Sequence, residues 1–529
     1  MAGGRRPRRA LGDGHDMSRQ AVLDQIIARR RPFDLIVIGG GATGAGIAWD
    51  GAGRGLSTVL LEGTDFGQGT SSRSTKLIHG GIRYLAQGQL GLVREALRER
   101  RLLLANAPEH VRPLRFLIPT SNFCETLKYR AGLALYATLA GERHPLADTG
   151  AEPAVCAAVR PWLQAAPHRL LSYQDAQFDD ARLLFAVLGR AVTLGATVLN
   201  YARVVALNQQ QDGHLAGVAF QDQLSGRTYE IEGTLIINAA GPGVAAVAAL
   251  GGARLNPPIT LSRGSHVVVK RAFWPRPEAL LMPHTPDGRI MFAIPWQDHL
   301  LLGTTDVPTV STADPRASEE EIAQILAVAG RYLAHPPQLT DVQACFAGVR
   351  PLAGVAASHT AGLSREYQLS VDDSGLISSY GGKWTTFRRM AEHAITTALR
   401  AHRLHARPSR TAHDYLPAQT SLIPPTLRPP APLPSTPEDD TPLVPGFTYS
   451  VRAARLGIQE EMAVSIEDLL ARRSRCLFLN AGAAREAAPA VARLLSRELG
   501  HDEAWQTEAL NTFEQVAAAF QPASQGVRT

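Results

Sequence analysis

The sequence predicts an α/β protein with additional α+β elements: a nucleotide-binding βαβ unit, an antiparallel sheet and a small C-terminal helical domain. From Phe33 to Glu62, an apolar strand, a glycine-rich turn, a small-residue helix and a second apolar strand follow one another. Short β-rich runs separated by turn residues occupy residues 265–269, 290–294 and 299–303. Residues 450–520 are rich in Ala, Leu, Arg and Glu at helical spacing, which completes the prediction.

The N-terminal 31 residues form a basic head. They hold eight arginines and three aspartates, so that they carry almost all of the formal charge of +6. We predict that residues 1–31 are disordered. Residues 1–16 are interpreted as an extension that precedes a translation start at Met17. An Arg-rich transit peptide is the alternative, but Asp13 and Asp16 argue against it. The nearly neutral remainder excludes a nucleic-acid-binding body, which would need a basic face.

The cysteines and the hydropathy pattern exclude two further classes of protein. Four cysteines in 529 residues lie far apart and form no CxxC pair. We therefore expect no disulfide framework, no cysteine-rich metal site and a reducing compartment. No run of about 18 apolar residues is present, so we expect no transmembrane helix.

The first element of chemical interest is the glycine turn. Gly39, Gly41 and Gly44 form a GxGxxG pattern between a strand and a helix, and Glu62 ends the next strand. This context is typical of a Rossmann-like site, in which a carboxylate binds a ribose 2′-hydroxyl and repels a 2′-phosphate. The motif predicts FAD or NAD and excludes NADP. The Ser-, Thr- and Gly-rich segment 67–85 suits a flavin, although a polar surface loop has a similar composition.

The remaining elements follow from periodicity and proline content. Helical patterns occupy residues 90–106, 125–140 and 179–194, and a buried strand with a tight turn is predicted at 234–242. Nine prolines lie between residues 424 and 445. Because such a segment cannot hold a helix or a central strand, we predict a Pro-rich linker over residues 401–446.

Longer motifs carry a family resemblance. They include DLIVIGGGATGAGIAWD, GTSSRSTKLIHGGIRYL, QDAQFDDARLL, GSHVVV, LLGTTD, GVRPL, SREY and GGKWTTFR. In this order they resemble segments of FAD-dependent glycerol-3-phosphate dehydrogenase, a respiratory, quinone-linked family among the D-amino-acid-oxidase-like flavoproteins. The resemblance implies interleaved FAD-binding parts (about 32–110, 170–250 and 345–400), substrate-binding parts (about 111–169 and 251–344) and a C-terminal helical domain at 447–520.

The implied activity is the oxidation of sn-glycerol 3-phosphate to dihydroxyacetone phosphate, with reduction of FAD and electron transfer to a membrane quinone. His266 and Arg350 match the family's catalytic positions. A base suits loss of the hydroxyl proton, and a cation suits the developing alkoxide. The substrate-binding positions are matched by Arg83, Tyr84, Arg365 and Lys383. Such a cationic cluster favours a phosphate dianion over an amino-acid substrate.

The resemblance also implies the cofactor-binding residues. They are Gly39, Gly41, Ala42, Thr43, Gly44, Glu62, Thr70, Ser71, Ser72, Ser74, Thr75, Lys76, His79, Gly80, Val204, Ala240, Gly241 and Gly382. Three features depart from the family pattern: small residues in INAAGPGVAAV near the flavin, Trp384 in place of a leucine, and the Pro-rich segment in place of the first helices of the C-terminal domain. The last departure raises the question of whether that domain folds and docks normally.

Several alternatives concern the electron acceptor and the membrane. Residues 123–144 combine apolar side chains with Lys128, Arg130 and Arg143, which suits either a helix in the membrane interface beside a quinone or a buried core helix. We expect peripheral attachment to the cytoplasmic face of the inner membrane, and a homodimer is compatible with the sequence. The alternative functions are a soluble oxidase that reduces oxygen, an amine-oxidising flavoenzyme and a catalytically silent flavin-binding module.

Overall fold

A computed structural model describes residues 17–86, 88–141, 150–285, 288–310, 315–354, 366–428 and 434–523. The strands are β1 Phe33–Ile38, β2 Thr58–Leu61, β3 Leu77–Ile78, β4 Val111–Thr120, β5 Arg169–Phe178, β6 Thr197–Leu199, β7 Ala202–Gln209, β8 Leu215–Asp222, β9 Thr228–Asn238, β10 Ile259–Lys270, β11 Ala279–Met282, β12 Met291–Trp296, β13 His299–Gly303, β14 Val307–Thr309, β15 Val342–Ala353, β16 Tyr367–Val371 and β17 Ile377–Gly381. The α-helices are α1 Met17–Ala28, α2 Ala42–Gly53, α3 Ile82–Ala86, α4 Leu90–Asn106, α5 Phe123–Ala140, α6 Pro153–Val159, α7 Asp180–Thr193, α8 Val244–Leu250, α9 Glu319–Gly330, α10 Phe387–Ala401, α11 Val451–Gln459, α12 Cys476–Leu479, α13 Ala481–Leu499 and α14 Glu503–Ala518.

A mostly parallel sheet contains the predicted βαβ unit. Its strand order is β16, β17, β9, β1, β2 and β6, and β7 and β8 continue antiparallel from β9. β1 pairs in parallel with both β2 and β9. Helix α2 packs against α7 and α10, so the small residues of its sequence allow close contact between helices. The carboxyl ends of β1, β2 and β9 meet at one edge of this sheet, where nucleotides bind in such folds.

The second sheet is largely antiparallel and confirms the predicted substrate-domain architecture. Its order is β14, β10, β13, β12, β11, β4, β5 and β3, and β15 pairs with β10 along most of its length. One face packs on a cluster that includes residues of α9, and the other face packs on the C-terminal helices. Because both faces are covered, the strands β11, β12 and β13 are almost continuously apolar.

Helix α1 contradicts the prediction of a disordered head over residues 1–31. Residues 1–16 lie outside the described part of the chain, but α1 packs on the parallel sheet. Arg19 is buried, and its guanidinium donates hydrogen bonds to the Asp222 carboxylate at 2.7 Å and to the Asn200 carbonyl at 2.8 Å. Three apolar side chains of α1 are also buried: Val22, Leu23 and Ile26. The prediction counted Arg19 as a solvent charge, whereas its partners lie about 200 residues away.

The predicted Pro-rich linker is packed against the rest of the protein. Apart from Ala401, which ends α10, its described parts, residues 402–428 and 434–446, contain no α-helix or β-strand, in agreement with the proline content. However, they bury five apolar side chains: Leu416, Leu422, Ile423, Leu443 and Val444. The backbone N–H of Leu416 also donates to the Asn106 carbonyl at 2.7 Å. Apolar burial therefore fixes this segment in place without regular secondary structure.

The C-terminal domain is folded and docked, which answers the question that its departure from the family pattern raised. Helices α11 to α14 share a core with the antiparallel sheet, and a π-helix spans Asp468–Arg473. Asp65, which follows β2, accepts hydrogen bonds from the buried guanidinium groups of Arg472 and Arg473. Burial disfavours the Asp65 carboxylate, but the two arginines outweigh this effect and lower its pKa. Charge pairing thus joins two distant parts of the sequence.

Helix α5 has one buried and one exposed face. Its buried side chains are Thr126, Leu133, Tyr136 and Ala140. Phe123 and Leu127, by contrast, are 68% and 58% exposed, and Leu135 is 41% exposed. One face of this helix therefore belongs to the protein core, and the other face is exposed and carries apolar side chains. No helix in the described ranges has the length and apolar character needed to cross a membrane.

Candidate active site

A single cavity of about 750 Å³ is lined by residues of both sheets. It extends from the glycine turn after β1 to strands β10 and β15, and its volume is within the usual range for cofactor sites. Most of the predicted site residues line it: Gly39, Gly41, Ala42, Thr43, Glu62, Thr70, Ser71, Ser74, Thr75, His79, Tyr84, Val204, Ala240, Gly241, His266, Arg350, Gly382 and Lys383. Gly44, Ser72, Lys76 and Gly80 do not line it. Arg365 and the side chain of Arg83 lie outside the described residues.

The glycine turn forms the nucleotide end of the cavity. Gly39 has φ +108°, and a Cβ atom there would lie 2.6 Å from the Ala239 carbonyl oxygen. A Cβ atom on Gly44 would lie 1.8 Å from the Gly39 carbonyl oxygen. Neither position can therefore carry a side chain without moving backbone. Gly39 lets β1 pass beside the residue after β9, and Gly44 lets α2 begin directly against the turn.

Glu62 presents acceptor oxygens beside this turn. Its carboxylate accepts a hydrogen bond from the Gly40 N–H at 2.6 Å. It also accepts from the Thr64 N–H and hydroxyl, each at 2.9 Å. An ionised carboxylate has about four acceptor positions, so these bonds orient Glu62 and leave capacity for a ribose hydroxyl.

A loop of residues 70–76, called the Ser/Thr loop below, crosses the middle of the cavity. The Ser71 hydroxyl accepts a hydrogen bond from the Ala42 N–H at 2.9 Å, at the first residue of α2. The Ser71 carbonyl accepts one from Trp384 Nε1 at 2.8 Å. The loop thus connects the nucleotide end to the segment that follows β17.

His266 lies on β10 and is almost completely buried, at 1% exposure. Its Nε2 atom is 3.0 Å from the Thr75 hydroxyl, and its ring stacks on Phe346 at 4.8 Å between centroids. Within the described residues, Nδ1 has no hydrogen-bond partner. Burial, followed by the charges of Lys76 and Arg350, lowers the pKa of His266 well below its usual range. The imidazole is therefore neutral near pH 7 and can accept a proton.

Arg350 is carried by β15, the strand next to β10. Its guanidinium lies over Gly264, where a Cβ atom would be 2.1 Å from Nη2. Nη2 donates a hydrogen bond to the Thr304 hydroxyl at 3.2 Å, and Nη1 is 3.9 Å from the Asp306 carboxylate. The GSH sequence therefore provides both the space for Arg350 and, two residues later, the His266 ring on the same face of the strand.

A second cation, Lys383, also lines the cavity. Lys383 follows β17, and its Nζ atom is 3.6 Å from the ring centroid of Tyr84. Tyr84 is buried in helix α3, directly after the Gly80–Gly81 turn. This pair brings together two of the four predicted substrate-binding residues. The ring faces the ammonium group and limits its movement.

Lys76 was predicted to bind the cofactor, but its side chain is directed away from the cavity. The ammonium group forms a 2.7 Å ion pair with Asp180 and donates to the carbonyls of Ser72 and Ser74 at 2.9 and 3.1 Å. The side chain has no exposed surface. The composition around a lysine in a glycine- and serine-rich motif favours anion binding. The sequence does not show that a carboxylate partner lies beside it, because that partner is more than 100 residues further along the chain.

Sequence reasoning did not identify several residues of the cavity wall. An aromatic and apolar wall consists of Phe116, Tyr173, Ile290 and Phe292. These residues gave no signal, because a strand residue that faces a cavity cannot be distinguished from one that faces a core. Thr304 and Asp306, which contact Arg350, lie within the LLGTTD motif and could have been identified there.

Comparisons with known families cover both parts of the chain. A model of the FAD dependent oxidoreductase family matches residues 34–388. A model described as the C-terminal domain of alpha-glycerophosphate oxidase matches residues 426–506. Together they span the two sheets and most of the C-terminal helices.

Individual relatives agree with these family matches. Mitochondrial glycerol-3-phosphate dehydrogenase of Mus musculus is 35% identical over 94% of this chain and 74% of its own length. The glycerol-3-phosphate dehydrogenase of Bacillus halodurans, solved in complex with FAD, is 26% identical with a TM-score of 0.73 and covers 96% of this chain and 98% of its own. L-alpha-glycerophosphate oxidase of Mycoplasma pneumoniae, at 17% identity and a TM-score of 0.54 over 73% of this chain and 99% of its own, shares the fold.

Proposed function

The chain belongs to the family of FAD-dependent glycerol-3-phosphate dehydrogenases, and from this premise we propose that it oxidises sn-glycerol 3-phosphate to dihydroxyacetone phosphate. The observation that carries the proposal is the shared cavity, which is lined by a neutral buried His266, the Arg350 guanidinium and Lys383. A base, a cation beside the reacting oxygen and a separate anion site are the three elements that this reaction needs.

The residues at the nucleotide end fit FAD. Gly39 and Gly44 have no space for side chains, which fixes the turn and the start of α2, and Gly41 between them lines the cavity and lets a pyrophosphate approach the backbone. Glu62 is the proposed ribose ligand, and the Ser/Thr loop supplies hydroxyl groups in the middle of the cavity. When bound, FAD supplies the two-electron acceptor that alcohol oxidation requires.

Lys383 is the proposed partner of the substrate phosphate. The ammonium is fixed over the ring of Tyr84 and lines the cavity. A phosphate dianion binds such a point charge by charge-assisted hydrogen bonds, and the ring excludes water from one side. The motif matches add Arg83 and Arg365 to this proposed phosphate site.

His266 and Arg350 are proposed to divide the proton and charge requirements of the reaction. His266 accepts the C2 hydroxyl proton at Nε2, the atom beside the Thr75 hydroxyl. Arg350 stabilises the negative charge that develops on the same oxygen. In the free protein the imidazolium form is disfavoured by burial and by two nearby cations. The negative charge of a phosphate dianion bound in the same cavity favours the imidazolium form and so makes proton transfer to His266 easier.

Anaerobic reduction tests this proposal. Addition of sn-glycerol 3-phosphate to the full-length holoenzyme should bleach the visible absorbance of its flavin, whereas glycerol and a D-amino acid at the same concentration should not. The glycerol control isolates the contribution of the phosphate. Bleaching by the amino acid alone would replace the proposed function with amine oxidation, and no bleaching by any of the three would support a silent flavin-binding module.

A membrane quinone is the proposed electron acceptor, and the exposed face of α5 supports it. Phe123, Leu127 and Leu135 form an exposed apolar row at four- to eight-residue spacing, with Lys128 and Arg130 exposed beside it. This combination suits insertion into the surface of an anionic bilayer. We therefore propose peripheral attachment to the cytoplasmic face of the inner membrane. Oxidation rates with a soluble quinone and with oxygen distinguish a dehydrogenase from an oxidase.

Vesicle sedimentation tests the membrane surface. The double variant Phe123→Ser and Leu127→Ser should lose most binding to vesicles that contain anionic lipid, because both side chains are exposed in the unbound protein. Removal of residues 1–16 measures the separate contribution of the arginines before α1. Equal sedimentation of the double variant and the parent would exclude this face of α5 as the membrane contact.

A further inference from the structure

The Ser/Thr loop contacts the cavity from several directions. The Thr70 hydroxyl donates to the carbonyl of Val349, which directly precedes Arg350. At its other end, Thr75 lies 3.0 Å from His266 Nε2. A displacement of this loop would therefore alter the surroundings of both proposed catalytic side chains at once. The contacts that fix the loop are therefore expected to affect the proposed reaction.

On the side away from the cavity, the loop is held by three buried charged side chains: Lys76, Asp180 and Arg475. Lys76 Nζ and Arg475 Nη2 lie 2.7 and 2.9 Å from the two carboxylate oxygens of Asp180. The three side chains are at most 2% exposed. Arg475 Nη2 also donates to the Ser72 carbonyl in the loop at 2.9 Å.

Arg475 comes from the C-terminal domain, between the π-helix and α12. Its backbone has φ +65°, a conformation that non-glycine residues rarely adopt and that the surrounding packing must maintain. The guanidinium lies 4.3 Å from the ring centroid of Phe478 and 5.4 Å from that of Trp296. Rings from the C-terminal domain and from the antiparallel sheet thus fix its position.

We propose that Arg475 is a positioning residue, which holds the Ser/Thr loop in the geometry that FAD and His266 require by binding Asp180 and the Ser72 carbonyl. The C-terminal domain therefore stabilises the active site although none of its described residues lines the cavity. The expected effect of Arg475 on FAD binding rests on the chain's membership of an FAD-dependent family. Its expected effect on His266 rests on the proposed function. Removal of the guanidinium takes one of the two cationic partners from Asp180, which keeps Lys76 and the hydrogen bonds from Ser74, and it takes a donor from the Ser72 carbonyl.

The test compares two buried arginines of the same domain in the full-length holoenzyme. Arg475→Gln removes the contact with the loop. Arg455→Gln is the matched control, because Arg455 is 7% exposed and bonds only within the C-terminal region in the described chain, to Asp439, Glu498 and the Pro434 carbonyl. The measurements are the melting temperature, the rate of FAD release followed by fluorescence, and kcat and KM for glycerol 3-phosphate.

Both variants should lower the melting temperature, but only Arg475→Gln should release FAD at least about tenfold faster, the factor that corresponds to loss of one charge-assisted hydrogen bond. Its kcat should fall about tenfold with a smaller change in KM, because the loop contacts His266 directly, whereas it contacts the Lys383 segment only through the Trp384 side chain. Arg475→Lys should be intermediate, since a lysine keeps the charge but lacks the second nitrogen, Nη1, which donates to the Ala471 carbonyl at 3.0 Å and helps to fix the guanidinium.

FAD release and kcat of Arg475→Gln equal to those of Arg455→Gln would overturn the proposal, since the arginine would then contribute stability alone. If Arg475→Gln does not fold, Arg475→Lys provides the same test, and parent-like FAD release and kcat in that variant would equally overturn it. FAD release requires no substrate. A parent enzyme that does not oxidise glycerol 3-phosphate would therefore contradict the proposed function and leave the FAD part of this inference standing.

Discussion

The nucleotide end and the substrate end of the cavity are built by different means. The nucleotide end depends on backbone: a turn in which Gly39 and Gly44 have no space for Cβ atoms, followed within 18 residues by Glu62. The substrate end depends on side chains from separate parts of the chain, His266 on β10, Arg350 on β15 and Lys383 after β17. Changes at the first should therefore affect folding and FAD together, and changes at the second should separate chemistry from folding.

The variant His266→Gln is expected to separate the chemical step from folding and FAD binding most strongly. We expect kcat to fall by about 10²- to 10⁴-fold, because the proposed general base is lost while the buried volume is nearly kept. FAD content and the visible spectrum should remain those of the parent, since His266 lies at the substrate end. Loss of FAD from this variant would show that the two ends are not independent.

In contrast to His266→Gln, the variant Gly44→Ala should lose stability and FAD together. The added Cβ atom would lie 1.8 Å from the Gly39 carbonyl oxygen, so backbone must move, and we expect a loss of about 3 kcal/mol of stability together with loss of FAD. Gly53→Ala in the same helix is the control, because its Cβ atom would meet only Leu194 at 3.8 Å. Melting temperature and the ratio of flavin to protein report both effects. A stable, flavin-loaded Gly44→Ala protein would contradict the backbone account of this end.

Lys383→Met should raise KM for glycerol 3-phosphate by about tenfold or more, with a smaller effect on kcat, because a charge-assisted contact to the phosphate is lost. Lys270→Met, at the exposed end of β10, is the matched control and should leave KM unchanged. Steady-state kinetics with FAD-saturated protein provide the measurement. A decrease in kcat at unchanged KM would assign Lys383 to the chemical step instead of binding.

The smallest predicted effect concerns pH and stability. The pKa of His266 is lowered by burial, Lys76 and Arg350, so below about pH 6.5 the unfolded chain binds a proton that the folded protein does not. The free energy of unfolding should therefore fall on acidification from about pH 6.5 toward the folded pKa, by up to about 1.4 kcal/mol per pH unit. Denaturant unfolding of the parent and of His266→Gln between pH 5 and 7 isolates this contribution. Parallel curves for the two proteins would contradict it.

The difference between the two ends also explains what the sequence could predict. The βαβ unit, helices α4, α5 and α7 and the strands β10, β12 and β13 were predictable, because each is specified by a contiguous pattern. The glycine turn was predictable for the same reason. His266, Arg350 and Lys383 could be proposed only from longer motifs, since nothing local shows that their strands meet.

Pairings between distant residues were not predictable. Arg19 was assigned to a disordered head although it pairs with Asp222, and Lys76 was assigned to the cofactor although it pairs with Asp180. In both cases composition favoured a free cation, and only the fold shows a buried carboxylate beside it. Packing of the Pro-rich segment was missed because apolar side chains between prolines carry no periodicity.

The pairing of Arg472 with Asp65 also bears on how the protein is made. The two residues are 407 positions apart, so Asp65 leaves the ribosome long before its partner is synthesised. At a translation rate of about 5 to 20 residues per second, roughly 20 to 80 s pass between the synthesis of Asp65 and that of Arg472. During that time the nucleotide domain cannot bury Asp65 with its native partner. Completion of this domain is therefore expected after translation of the C-terminal helices, and a nascent chain that stalls before them is a natural substrate for chaperones.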